Sequence, residues 1–248
     1  MIVYGRNPVR EALRGRRAGE VSAVWATPGA AREPWLAGVP VERATSEEIE
    51  RLCGSSAHQG ICAEVGAYPY VDADELLGLE DPLLVALDQV QDPQNLGSIC
   101  RTAECAGAAG VVIPERRAAE VTPAVCKASA GAVEHLRVAR VRNLADFLAQ
   151  AREAGCWCYG ASADPGAPAS PGAERAPVSY DSPDYAGGVV LVLGSEGAGL
   201  RPRVAKACDQ LIALPLLGRV ESLGVSAAAA AILYEILHNR TAGVDKGS

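Results

Sequence analysis

Three polar, glycine-bearing segments interrupt the apolar second half of this chain, and they hold its most chemically capable side chains. The first, Gln91-Asp92-Pro93-Gln94-Asn95-Leu96-Gly97, runs into a helical pattern that carries Arg101 one turn inside it. A polar loop feeding a helix N-terminus offers backbone N–H groups to an anion, and an arginine adds a fixed charge and a planar fork of donors. The second, Gly194-Ser195-Glu196-Gly197-Ala198-Gly199, lets backbone approach a ligand closely. It is not a dinucleotide fingerprint, because it lies late in the chain and no acid ends the following strand. Its glutamate is also out of place in a phosphate cradle. The third, Leu216 to Gly224, presents Ser222 just ahead of a helix. Each residue has a plainer use as well: Asn95 as a helix cap, Arg101 in an ion pair with Glu104, Ser222 as a capping hydroxyl.

These loops need a scaffold, and the hydrophobic pattern supplies one. From residue 83 onward, strands over 83–90, 111–113, 136–141, 156–161, 189–193 and 211–214 alternate with helices over 96–106, from 122, and over 144–154, 202–208 and 225–239. Strands that are apolar throughout predict a parallel sheet covered on both faces, with ligands bound beyond the strands' carboxyl ends. All three polar segments follow strands. Residues 162–187 carry five prolines and read as a long flexible loop. Residues 1–66 read as a smaller α/β unit. A helix follows Asn7-Pro8, strands cover 21–27, 39–44 and 60–65, and a helix over 46–53 is capped by Ser46. The acidic stretch 67–81 reads as a linker, leaving 82–248 as the second domain. There is no internal repeat.

Composition bounds the function. The chain has 248 residues and a net charge of −7, with 49% hydrophobic residues. That is enough to build a core and leaves little room for disorder. No apolar run approaches the ~20 residues of a membrane helix, and the first residues lack an apolar signal region. The expectation is a cytoplasmic protein with no membrane partner. Eight cysteines form no C-x-x-C pair, and only three histidines are present, so no metal site is expected. The cysteines read as small buried residues, with Cys156 and Cys158 on one side of a strand. His58 reads as structural.

A net negative charge argues against a nucleic-acid partner only if it is evenly spread. Residues 44–100 hold eleven acids and one base, while the rest of the chain has 22 bases against 19 acids. Arg6, Arg10, Arg14 and Arg17 are spaced so that a single helix would carry them on one face, a surface suited to gripping phosphates.

Taken in order, "DQVQDPQNLGSICRTAECAGAAGVVI", "LVLGSEGAGLRP" and "IALPLLGRVESLGVSAAAAAILYE" resemble the three motifs of the SpoU/TrmH group of RNA ribose 2′-O-methyltransferases, in the SPOUT superfamily. The likeness covers about residues 83–240. Residues 1–66, with "YGRNPVREAL" and "HQGICAEV", look like the ribosomal-protein-L30e-like RNA-binding domain of the 23S rRNA guanosine methyltransferase branch. The resemblance implies an α/β protein whose C-terminal parallel-sheet domain is tied in a trefoil knot and follows a small L30e-like α/β domain. It implies S-adenosylmethionine held by backbone at Gly194, Leu214 and Leu223, with Gly199 and Gly218 in the same loops. It also implies a homodimer with the last helix at the interface.

The activity implied is methyl transfer to a ribose 2′-hydroxyl, most simply of a guanosine in 23S rRNA. The arginine matching Arg101 is the proposed base. A guanidinium with a pKa above about 12 is a poor base, so Arg101 is better suited to binding phosphate and stabilising a developing alkoxide. Glu196 would orient Arg101 or the hydroxyl, Ser222 would bind substrate or loop, and Asn95 would fix the first loop. Arg6, Arg10 and Arg14 would contact RNA. One position departs from the pattern: the family's third motif usually reads Ser-Leu-Asn-Val-Ser, and here Gly224 replaces the asparagine. A tRNA substrate is an alternative, although the tRNA branch typically lacks the first domain. A catalytically weakened RNA-binding relative and a small-molecule binder using the glycine loop alone are others.

Overall fold

The computed structural model describes residues 1–162, 176–220 and 222–244, with side chains described through Ala242. Half of the segment expected to be flexible, 162–187, therefore falls outside the described residues. At its far end Val178–Ser179 form a strand, and Tyr185 is fully buried.

The first domain is a four-stranded mixed sheet in which Ile2–Tyr4 lies beside Ile61–Val65, followed by Val21–Ala26 and then Glu42–Arg43. It comprises β1 (Ile2–Tyr4), α1 (Arg6–Ala12), β2 (Val21–Ala26), β3 (Glu42–Arg43), α2 (Ser46–Cys53) and β4 (Ile61–Val65). Thr45, not Ser46, caps α2: its hydroxyl accepts from the Glu48 N–H while the Glu48 carboxylate accepts from the Thr45 N–H. The reciprocal arrangement needs the acid at the third helical position, which Thr45 has and Ser46 lacks. His58 is buried, and its Nδ1 accepts from the Gly60 N–H at 2.9 Å, a structural use of the ring.

The expected four-arginine helix face does not form. α1 ends at Ala12, so Arg14 and Arg17 lie beyond the helix. Arg17 turns inward and is fully buried against Glu134. Arg6 pairs with Glu33 at 2.7 Å and Arg10 with Glu11 at 2.7 Å. Spacing on a helical wheel could not anticipate a helix that stops after seven residues.

The stretch 67–81 is more than a linker. It holds α3 (Ala73–Leu77), opened by a capping box between Asp72 and Glu75. Leu76 is fully buried, and the Val71 N–H donates to the Val138 carbonyl, so this segment is fastened to the second domain.

The second domain is a seven-stranded parallel sheet. Its elements are β5 (Leu83–Asp88), α4 (Pro93–Cys105), β6 (Gly110–Pro114), α5 (Pro123–Ala128), β7 (Arg137–Val141), α6 (Leu144–Glu153), β8 (Trp157–Ser162), β9 (Val178–Ser179), β10 (Val189–Gly194), α7 (Pro202–Ala207), β11 (Gln210–Ala213) and α8 (Val225–Val244). The strand order is β7-β6-β5-β10-β8-β11-β9. Side chains alternate between two cores. Leu83, Val85 and Leu87 pack with α4 and α8, while Leu84 and Ala86 pack with α6 and α7.

Five cysteines are buried, Cys156 and Cys158 in one core, but Cys53 and Cys208 are half-buried and Cys105 is exposed, correcting the expectation that all eight are interior. Among the described residues no group of three or more His, Cys, Asp or Glu could hold a metal ion. No described helix is long and apolar enough to cross a membrane.

Candidate active site

β5 and β10 lie side by side at the centre of the sheet, with Asp88 opposite Gly194 in register. The first two polar loops leave from these adjacent strand ends and face each other across a cleft of about 320 Å³. Gln91, Asp92 and Asn95 line one lip, Ser195 and Glu196 the other, and Val225 closes it. Asn95 does not cap α4. Asp92 does, accepting from the Gln94 N–H at 3.0 Å, with Pro93 at the first helical position. Asn95, half-buried within the first turn, is left free to face the cleft.

The glycine loop folds back on its own strand. The Gly199 N–H donates to the Ser195 carbonyl at 2.9 Å, and a Cβ on Gly194 would collide with the Gly199 backbone and the Leu200 nitrogen. Glycine at 194 is thus required by close approach. Gly197 and Gly199 take positive φ angles of 82° and 64° with open space where side chains would stand. From Leu214 to Val220, leading into and through the first part of the third loop, the chain has no regular structure. Its Leu217 is 97% and Val220 74% exposed, and Gly218 also borders open space. Leu223 is about half exposed, and Ser222 is exposed with no hydrogen bond among the described residues.

Glu196 has a use that its sequence did not reveal. Its Oε1 accepts from the Val225 N–H at 3.4 Å, a weak cap on the first residue of α8. A Cβ at Gly224 would stand 3.4 Å from the same oxygen, and Gly224 does not adopt a positive φ. With no side chain at 224 to cap the helix, the carboxylate of the second loop supplies the acceptor. Gly224→Asn is expected to fold, to stabilise the helix start by a few tenths of a kcal/mol, and to crowd the Glu196 carboxylate, whose Oε1 stands 3.4 Å from the added Cβ. Turnover or cofactor affinity should change. If both stay the same, position 224 has no bearing on the site.

Arg101 opens onto a different cavity. It lies six residues after Asn95, which turns it well away from the face that Asn95 presents. It lines a groove of about 370 Å³ between the two domains, together with Asn7, Arg10, Glu104, Cys105 and His135. Arg101 is exposed and forms no ion pair among the described residues, so the pairing with Glu104 does not occur. Across the groove, Glu11 accepts from Arg10 at 2.7 Å and contacts His135 Nε2 at 2.9 Å. Burial alone would raise the Glu11 carboxyl, but its bonds to His135 and Arg10 outweigh burial and hold it below the usual carboxylate range. This contact between domains is therefore present above the ordinary carboxylate pKa and is lost as pH falls through the lowered one.

Sequence reading missed Asp88, Arg201 and Glu134, and placed Arg17 on a surface face although it is buried against Glu134. The signal for the first was an acid ending a strand otherwise wholly apolar, a position that needs a buried partner.

The sequence profile of the SpoU rRNA methylase family matches residues 82–234. The chain belongs to the SpoU rRNA methylase family. A profile described as RNA 2′-O ribose methyltransferase substrate binding matches residues 2–71. A Bacillus subtilis protein named as a TrmH family tRNA/rRNA methyltransferase is 39% identical over 208 residues, spanning 82% of this chain and 79% of that protein. The SpoU methyltransferase AviRb from Streptomyces viridochromogenes, solved with its cofactor AdoMet, superimposes with a TM-score of 0.77 at 27% identity, covering 97% of this chain and 90% of that one. An AdoMet-bound rRNA methyltransferase from Sinorhizobium meliloti gives 0.75 at 26% identity, covering 96% and 86%. As a SpoU/TrmH family member, the chain is an RNA methyltransferase, and the small mixed sheet followed by a parallel-sheet domain is the SPOUT architecture of the family.

Proposed function

We propose that this protein transfers the methyl group of S-adenosylmethionine to a ribose 2′-hydroxyl, with a guanosine of 23S rRNA as the favoured target. The observation that carries the reading is the groove in which Arg10 of the first domain and Arg101 of the second stand together. It lets one RNA strand engage the substrate-binding domain and the family's motif arginine at once. The match of residues 2–71 to a 2′-O ribose methyltransferase substrate-binding profile supports the ribose as target. Residues 1–66 bind RNA, 82–248 bind the cofactor and carry out the reaction, and 67–81 join them.

The second and third loops suit the cofactor. Backbone at Gly194, Gly199, Leu214, Gly218 and Leu223 supplies donors and acceptors, with open space at Gly199 and Gly218, and the exposed Leu217, Val220 and Leu223 offer apolar cover for a flat ring. When bound, S-adenosylmethionine supplies a sulfonium methyl open to in-line attack. The chain's task is to bring the ribose oxygen to about 3 Å from that methyl, its proton passing to the Glu196 carboxylate that accepts from the hydroxyl. Arg101 holds an RNA phosphate and stabilises negative charge developing on the oxygen. Glu196 orients the hydroxyl, Asn95 faces the cleft from the first turn of α4 while Asp92 holds the first loop, and Ser222 donates to substrate.

Arg101 and Glu196 open onto separate cavities of one chain. A homodimer through α8 would place a second set of loops beside the first. The exposed Tyr234 on α8, with Leu217 and Val220 nearby in sequence, supports such an interface. The second domain is threaded as the family's trefoil knot.

Labelled methyl transfer from S-adenosylmethionine to total RNA, followed by mapping of the methylated ribose, tests the reading. Methylation of a base, or no transfer, would overturn it, and a tRNA product would move the substrate to the alternative branch. Arg10→Glu is expected to weaken RNA binding about tenfold, with stronger loss at low salt, and to leave cofactor affinity unchanged. Bound RNA should also shield Cys105, the exposed cysteine of the groove, from maleimide. Equal RNA affinity in the variant would remove Arg10 from the interface.

A further inference from the structure

Asp88 is an acid with no exposure at all, at the last position of β5. An ionised carboxylate there needs nearly every lone pair filled. One residue fills them. The Arg201 backbone N–H donates to Asp88 Oδ2 at 2.8 Å, its Nε donates to Oδ1 at 2.7 Å, and its Nη2 stands 2.6 Å from Oδ1. Arg201 lies two residues past the glycine loop and directly precedes α7.

Asp88 therefore anchors both ends of that loop. Its backbone position pairs in register with Gly194, where the loop begins, and its side chain holds Arg201, just past the loop's end. Between these anchors the chain bends tightly enough for Ser195 to bridge Gly199. On the other side, Gln89 directly after Asp88 takes a φ of 61°, a conformation that non-glycine residues seldom adopt, and it lines the cleft opposite Glu196. Both lips of the cleft diverge from this one carboxylate.

We propose that Asp88 and Arg201 are a positioning pair that holds the glycine loop, and with it Glu196, in the shape that binds S-adenosylmethionine. The inference rests on the methyltransferase reading. The pair touches neither substrate nor cofactor in its role; it acts through the loop. The carboxylate is specific to the task. An amide at 88 would turn one acceptor into an NH2 group, which would face either the Arg201 N–H or the guanidinium, donor against donor.

The test measures S-adenosylmethionine affinity by calorimetry, RNA affinity by filter binding, and amide exchange at Gly199 without cofactor. Asp88→Asn is expected to weaken S-adenosylmethionine binding at least tenfold, to speed exchange at Gly199, and to leave RNA affinity within twofold. Arg201→Gln loses the guanidinium but keeps the backbone bond, so its effect should be smaller. Arg201→Lys should recover part of it. Because Arg201 is 44% exposed, its variants keep the proposal testable if Asp88→Asn does not fold. Leu148→Ala, in the core beside α7, serves as a destabilised control in which thermal stability falls while cofactor affinity and Gly199 exchange are unchanged. If the Asp88 and Arg201 variants behave like that control, the pair is structural only and the proposal fails. If the wild-type protein binds no S-adenosylmethionine, the methyltransferase reading falls and takes the proposal with it.

Discussion

Arg101→Ala is expected to lower the rate of methyl transfer about 10²–10³-fold, the usual cost of removing one preorganised donor to a developing negative charge. S-adenosylmethionine affinity should be unchanged, because Arg101 lies in the interdomain groove and not in the cleft between the first and second loops. Stability should move by no more than about 0.5 kcal/mol, as for other exposed residues that form no ion pair among the described residues. Arg101→Lys should recover only part of the rate, since an ammonium keeps the charge but loses the planar fork. Single-turnover methylation with saturating cofactor measures this. A rate within threefold of wild type would remove Arg101 from the reaction.

The second large effect concerns the joint between the domains. Arg17 of the first domain and Glu134 of the second are both fully buried and paired through two hydrogen bonds. Arg17 also donates to the Gly66 carbonyl at 3.0 Å and lies 5.5 Å from the centre of the Tyr68 ring. Burial would lower the Arg17 pKa, but the bonds to Glu134 outweigh it and raise it, so the guanidinium stays charged. Glu134→Ala leaves a guanidinium buried without its counter-charge and is expected to cost about 3–5 kcal/mol. Arg17→Met together with Glu134→Leu should cost much less than either single change to alanine, because no charge is then stranded. Denaturant unfolding of the four proteins makes the comparison. A double variant as unstable as the worse single one would show that the pair's packing matters more than its charge.

The same joint governs the groove. The Arg16 N–H donates to the Glu134 carbonyl, the Tyr68 hydroxyl donates to the Val133 and Leu136 carbonyls, and a Cβ on Gly15 would press on Glu134 at 2.6–2.9 Å. These contacts hold α1 against the second domain, and α1 carries Arg10 into the groove with Arg101. Loss of the Arg17–Glu134 pair should therefore weaken RNA binding in parallel with stability.

Much of this protein was legible in its sequence. Unbroken apolar strands alternating with amphipathic helices can satisfy their backbone and bury their side chains only as a parallel sheet with helices on both faces, so the second domain's architecture followed from pattern alone. Gly194 and the glycine loop stood out because no other residue type permits such close backbone approach. The three motifs, in order, named the family. What the sequence could not supply were relations between distant residues. The arginine repeat at 6, 10, 14 and 17 suggested one basic face, yet the helix stops at Ala12 and Arg17 is drawn inward by a carboxylate 117 positions away. Asp88 and Arg201, 113 positions apart, form one clamp, and Glu196 caps a helix that begins 29 positions later. Local pattern reports how each segment buries its own apolar face. Which buried charge meets which partner depends on how segments dock, and only the tertiary structure decides that.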